Sequence, residues 1–447
     1  MTSEVIVMNR LGIALASDSA ATVYVGGRAK FYHADKLFML SNHHPVGVMV
    51  YNNSSLLGIP WETILKMYRA QLGARSFSKL EEYATDLIAY LNENDHLFPD
   101  KVQHRHYLHL VEILFNAIQN EINQQLLAVI QTENPSELKK ALKVTQTEVI
   151  QRTLNEWRRK KDVDPVCYNV DVAAKMSAAT SDGINSMIAN YFAGIEGPEV
   201  NALYDLAKLV VSKEEILPES LSGLVIAGFG VEEYFPVMQE YELGEIFGGR
   251  LKYRCNATLR IDSDTPSVVK PFAQSEMVNT FLSGVNPSFE ITLVRELVKV
   301  MMESPEEIID GMPGVSKQKK ESYKEKVRPI TQAAIRSLVR KLREYRERKH
   351  LDPILQSIEF LPKNELAHVA ASLVNLSSFQ KRISISEDET VGGPIDVAVI
   401  SKGDGFVWIE RKHYFRPELN RHFFCDNGLN NLKPTEAGTN ENTSDER

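Results

Sequence analysis

Short apolar runs alternate with polar turns at the start of the chain. Ser3 to Met8 (SEVIVM) and Gly12 to Ser17 (GIALAS) are joined by Met8-Asn9-Arg10-Leu11-Gly12, a polar turn ending in glycine. That pattern predicts a β-hairpin. Lys36 to Leu40 (KLFML) and Pro45 to Tyr51 (PVGVMVY) predict two further strands. From Pro60 the period changes: Trp61, Ile64, Leu65, Tyr68 and Leu72 fall on one helical face behind a proline suited to a first turn. Residues 78 to 215 read as mostly helical, and strands return at 224–228, 234–241 and 248–256. Helices are expected over 272–284, 290–303, about 320–350 and 365–379, the last with Leu366, Val369, Ala370, Leu373 and Leu376 on one side. Two closing strands, 395–400 and 406–409, turn at Lys402-Gly403-Asp404-Gly405. The last residues, TEAGTNENTSDER, carry no large apolar group and are expected to be disordered.

Strand blocks thus alternate with helix blocks, and hairpins within the strand blocks imply antiparallel sheets. The expected class is α+β rather than alternating βαβ. We see no internal repeat. The size of 447 residues accommodates two or three cores, or one core with large insertions. The expected division is a discontinuous core of 1–77, 216–299 and 356–415. A helical insertion spans 78–215, a basic helical insertion 300–355, and a tail 416–447.

Composition narrows the classes. No run approaches a membrane span, and Glu4, Asn9 and Arg10 interrupt any signal-peptide core, so cytoplasm is the expected compartment. Three scattered cysteines (Cys167, Cys255, Cys425) make no disulfide framework. A net charge of −8 argues against a general nucleic-acid binder. One stretch runs the other way: Val315 to His350 holds thirteen Lys and Arg against four Glu. It has a partial apolar face (Ile330, Ala333, Ala334, Leu338, Leu342), which reads as an exposed basic helix, although RNA, an acidic partner or another subunit fits too. His104, His106 and His109 in HRHYLH do not share a helical face or gain a carboxylate pair, so no metal is expected there; His413, His422 and Cys425 are as weak. The GFG of AGFGVEEYF precedes a strand, not a helix, so it is no dinucleotide fingerprint. No cofactor is expected.

The chemistry candidates are at the front. A threonine hydroxyl is a weak nucleophile unless a base takes its proton, and a free α-amine on the same residue can be that base. Thr2 acquires one if Met1 is removed, which a small second residue permits. The hairpin returns Asp18 towards Thr2, and Lys36 opens the DKLFML strand. A positive charge about 4 Å from the hydroxyl, at an effective dielectric near 20, is worth roughly 4 kcal/mol towards the alkoxide. Asp18 can hold such a lysine in place.

Four stretches in this order resemble the proteasome-type N-terminal nucleophile hydrolases, a family that includes proteasome β subunits and bacterial heat-shock peptidase rings. They are the Thr2-to-Asp18 hairpin, DKLFML, LVIAGFGVEEYFPVM, and DETVGGPIDVAVISKGDGFVWI. The resemblance covers about half of the chain. It implies a four-layer αββα sandwich with Thr2 as nucleophile, Lys36 as the catalytic lysine, Asp18 as its orienting acid and Asp388 positioning the amine. Ser275 falls near the family's serine beside that amine, with one residue of slack. The chain departs from the pattern where Val391 replaces the serine before Gly392 and Gly393, with Thr390 as a substitute hydroxyl. The family's Ala-Gly oxyanion donor falls near Met49-Val50, so Val50 is the expected amide, with Asn52 and Asn53 as polar neighbours. The two insertions exceed what the family needs, so ring assembly does not simply carry over.

The expectation is an N-terminal threonine amidohydrolase, a threonine peptidase acting through an acyl-enzyme on Thr2. Its partners would be a peptide or protein substrate, further copies of the chain, and a partner on the helical insertions. An inactive scaffold of the same fold and a non-peptide amidase are the alternatives.

Overall fold

Asn9-Arg10-Leu11-Gly12 turns the chain as the polar spacing requires, and β1 (Ser3–Asn9) pairs antiparallel with β2 (Gly12–Asp18), Glu4 opposite Ser17. The structure is a computed structural model that describes residues 3–25, 28–130, 135–164, 170–192, 194–383, 393–413, 415–416 and 419–420. A second hairpin, β3 (Ala20–Val25) with β4 (Arg28–His33), follows directly. Then come β5 (Leu37–Met39), β6 (Val46–Asn52) and a two-residue ladder of β7 (Ser55–Leu56) and β8 (Ile59–Pro60). That ladder leads into α1 (Trp61–Leu72), which begins after Pro60 as expected.

Six helices fill the next stretch: α2 (Leu80–Glu93), α3 (Asp100–Ile130), α4 (Pro135–Arg159), α5 (Val170–Ala179), α6 (Ser181–Tyr191) and α7 (Pro198–Ser212). Strands resume with β9 (Ser222–Gly228), β10 (Val237–Phe247), β11 (Arg250–Arg260) and β12 (Ser267–Ala273). The β10–β11 turn is Gly248-Gly249, both at positive φ, which is what a two-residue hairpin turn demands. Those strands are therefore longer than the sequence pattern predicts, and β12 occupies part of a stretch read as helix. The chain continues through α8 (Glu276–Ser283), α9 (Pro287–Asp310) and α10 (Lys317–Arg346). A π-helical turn (Glu347–Leu351), α11 (Asp352–Glu359), α12 (Lys363–Ile383), β13 (Ile395–Ser401) and β14 (Gly405–Glu410) complete it.

Two five-stranded antiparallel sheets result. One runs β12-β1-β2-β13-β14, the other β11-β10-β9-β6-β5. The fold is α+β with antiparallel sheets. Strand parity decides what each face touches. Ile6, Met8, Ile13 and Leu15 of the first sheet pack on Met49, Val225 and Ala227 of the second. The opposite face of the first sheet, Val5, Val7, Ala14 and Ala16, lies on Val278 of α8 and Leu366 and Ala370 of α12. The far face of the second sheet, Val48, Val50, Leu224 and Ile226, is covered by Trp61 and Leu65 of α1 and Tyr83 and Leu87 of α2. Helices α3 to α7 build a separate core around Val111, Phe115, Ile150, Leu203 and Leu206, which reaches the sheet at Phe247.

Because β1 is flanked by β12 and β2 and buried on both faces, the first described residues, from Ser3, are held inside the first sheet. The even-numbered residues of β1 point between the sheets, and Glu4 is one of them.

Candidate active site

Strand β2 delivers Asp18 to the end of the sheet beside the start of β1, and β5 begins one residue after Lys36. The Lys36 ammonium donates to Asp18 Oδ1 at 2.8 Å and to the Ala20 carbonyl at 2.6 Å. The Ser3 N–H donates to the same Asp18 oxygen at 3.0 Å. Asp18 is fully buried and the Lys36 side chain is 8% exposed, so this pair sits in a low-dielectric setting. The structure brings Asp18 and Lys36 together at the first described residue of the chain. Thr2 and Asp388 lie outside the described residues, as do Thr390, Val391 and Gly392.

Glu4 is a member of the cluster that sequence reasoning misses. Its carboxyl is completely buried, accepts a hydrogen bond from the Ser17 hydroxyl at 3.2 Å on one oxygen, and leaves the other without a partner. Burial pushes its pKa well up, with Lys36 opposing and Asp18 adding to the rise. The available signal was a lone carboxylate at an inward-facing position of an apolar strand.

Val50 does not supply the oxyanion donor expected of it. Its N–H donates to the Lys36 carbonyl at 2.9 Å, because β6 pairs with the segment entering β5. Ladder alternation turns the N–H of Asn52 to the same edge, beyond the first residue of β5, where it has no partner among the described residues. Asn52 is also exposed and holds φ at +66°, a left-handed conformation that asparagine tolerates better than most residues. The neighbouring Asn53 turns elsewhere: its N–H bonds Leu221, and its side chain accepts from Ser55.

Ser275 is half-buried, directly before α8, and makes no cap hydrogen bond. The register Ser3↔Ala273 puts it two residues beyond the strand that borders the start of β1. It lines a cavity of about 350 Å³ with Ala273 and Gln274.

A larger cavity, about 580 Å³, opens beside the Lys36 segment and is lined by Ala34, Asp35, Ser54, Ser55, Arg411 and Lys412 among others. Lys412 bridges Asp35 at 3.0 Å and Asp396, fixing the cavity wall to β13. At the junction of β13 with the β3–β4 hairpin, Gly393 has φ +79°, and a Cβ there would meet the His33 ring and the Ser19 hydroxyl at 2.7 Å. Those two side chains bond each other at 3.2 Å.

Elsewhere the candidates are plainer. His104, His106 and His109 lie along α3, where His106 faces Glu245 at 3.7 Å and His109 faces Glu112 at 3.8 Å. No group of three potential metal ligands occurs among the described residues. No described helix is long and apolar enough to cross a membrane.

Comparison with known proteins corrects the family resemblance. No family model matches this chain, and no curated protein matches it. Solved structures that align include Anbu proteins, a family distinct from the proteasome β subunits and bacterial heat-shock peptidases that the sequence resembles. Anbu (ancestral beta-subunit) from Yersinia bercovieri aligns at 10% identity and a TM-score of 0.26, over 98% of this chain and 100% of that one. Anbu from Hyphomicrobium sp. strain MC1 aligns at 9% identity and 0.26, over 95% and 97%. The Anbu complex from Pseudomonas aeruginosa, described as a helical assembly, aligns at 9% identity and 0.25, over 95% and 93%. Overlays this loose transfer neither a site nor an activity, and the chemistry rests on the geometry of this chain.

Proposed function

We propose that the chain is an N-terminal threonine amidohydrolase acting on peptide bonds, with Thr2 as nucleophile once the bond before it is cleaved. One observation carries the reading: a buried lysine–carboxylate pair lies at the start of β1, and the residue after Thr2 is hydrogen-bonded to that carboxylate. A buried ion pair is costly to maintain and is weak as a purely structural device, which favours catalysis over a scaffold role. The packing of two sheets on each other, with helices on their outer faces, supports reading the core as an αββα sandwich.

Lys36 stabilises the Thr2 alkoxide, and Asp18 fixes the ammonium. The Thr2 amine accepts the hydroxyl proton while Oγ bonds to the substrate carbonyl carbon. The Asn52 N–H meets the oxyanion in place of Val50. Collapse breaks the C–N bond, the leaving amine takes the proton from the α-ammonium, and an ester on Thr2 remains. Water, deprotonated by the same amine, adds to the ester carbonyl; the C–Oγ bond then breaks, the α-ammonium returns the proton to Thr2 Oγ, and the acid is released. Ser275 positions the amine from the β12 side.

Intact-mass measurement before and after treatment with a threonine-directed epoxyketone or β-lactone tests this. A single adduct on chains lacking Met1, lost in Thr2→Ala, is expected. Met1 retained on essentially every chain would sink the proposal.

A further inference from the structure

Helix α10 is 30 residues long and buries none of its side chains. With α9 it forms an antiparallel two-helix arm held by Arg346–Glu290, Lys324–Asp310 and Arg328–Glu306, with Val327, Thr331, Ile335 and Val339 half-buried along α10. That line is one face. A second apolar stripe on α10 stays in solvent: Tyr323, Ile330 (69% exposed), Leu338 and Tyr345 (55%) follow at helical spacing. Helix α9 carries its own, Phe289 (59% exposed), Leu293 and Val300 (57%). In an antiparallel pair, their helical phases turn both stripes to one side of the arm. Helices in proteins gain most of their stability from packing an apolar face, so an arm with this one uncovered is built for a partner.

The charges identify that partner. Helix α9 holds six acidic residues against two basic ones; α10 holds eleven basic against three acidic. Part of this charge is used within the arm, but Glu296, Glu303 and Glu307 beside the α9 stripe have no ion-pair partner among the described residues. Nor have Lys319, Lys326 and Lys341 beside the α10 stripe. An acidic apolar face and a basic apolar face on the same arm are complementary to each other. A two-fold axis brings α9 of one copy onto α10 of the other, twice, which satisfies both faces with one self-complementary contact.

We infer that the α9–α10 arm is a dimerisation device whose occupant is the same arm of a second copy, closing a four-helix bundle. The contact is independent of catalysis at Thr2.

Light scattering or sedimentation of the full chain reads it directly. Ile330→Asp/Leu338→Asp is expected to halve the particle mass, with helical content by circular dichroism unchanged. A second test uses exposed charges, whose reversal leaves folding intact. Glu296→Lys/Glu303→Lys and Lys319→Glu/Lys326→Glu/Lys341→Glu should each weaken self-association at least tenfold, and mixing the two chains should restore pairing. A wild type that is monomeric at tens of micromolar, as folding back or docking of another protein would give, overturns the inference. So does a mass that the apolar double variant leaves unchanged, or failure of the mixed chains to pair.

Discussion

Lys36 and Ser3 end on the same oxygen of Asp18, the ammonium at 2.8 Å and the amide at 3.0 Å. One carboxylate therefore orients the cation and anchors the first residue of β1, next in sequence to Thr2. Position along β1 and position of the charge cannot drift independently.

Removing the lysine accordingly has two effects. Lys36→Ala is expected to abolish turnover and also to destabilise the fold by about 3–5 kcal/mol, because Asp18 is left as a buried, uncompensated charge. Lys36→Met with Asp18→Asn keeps an acceptor for the Ser3 amide and removes the charge. Chemical denaturation should show most of the stability recovered while turnover stays absent; no recovery would mean that the pair is not what the site is built around.

Glu4 makes stability depend on pH with a definite sign. Its folded pKa is raised above the ordinary value of 4.5, so the folded state holds the proton more tightly than the unfolded chain. The contribution is fully present below pH 4.5 and is lost as pH rises towards the folded pKa. Glu4→Gln, which cannot ionise, should lack this decline. Urea midpoints measured from pH 4 to 9 would show wild type falling relative to the variant; parallel curves would contradict a buried neutral carboxyl.

At Asn52 the backbone, not the side chain, is assigned to the oxyanion. Asn52→Gly keeps the N–H and relieves the left-handed φ, whereas Asn52→Val places a β-branched residue there and shifts the donor. Losing one such donor costs about 10²–10³ in kcat. Steady-state kinetics should show a loss approaching that range for valine and a far smaller one for glycine.

Gly393→Ala adds a methyl against His33 and Ser19 at a φ of +79°. A cost of about 1–3 kcal/mol is expected, read as a lower thermal midpoint, with turnover reduced because the wall beside Asp18 shifts with β13. An unchanged midpoint would mean that the β13 entry relaxes freely.

Local patterning carried the β1–β2 and β13–β14 hairpins, because both depend on alternation and short turns, but not the β3–β4 hairpin between Asp18 and Lys36. What it missed depends on pairing across the sheet. β12 contains Pro271, and proline argues against a strand; it survives there because β12 is an edge strand. The choice between Val50 and Asn52 turns on the register of β6 against the residues before β5, which no stretch of sequence states. The burial of Glu4 follows from the cover on both faces of β1, which the strand's own residues do not state.

That coverage sets how the site can fail. Strand β1, which begins at Ser3, is interior to its sheet, with β12 and β2 bonded on either side and packing above and below. A strand at a sheet edge can fray away and return while the rest of a protein stays folded; β1, whose first residue Ser3 is bonded to Asp18, has no such private motion. The amides of Val5 and Val7 should exchange with solvent only through global opening. Inactivation by heat and loss of the fold then become a single event, with one rate.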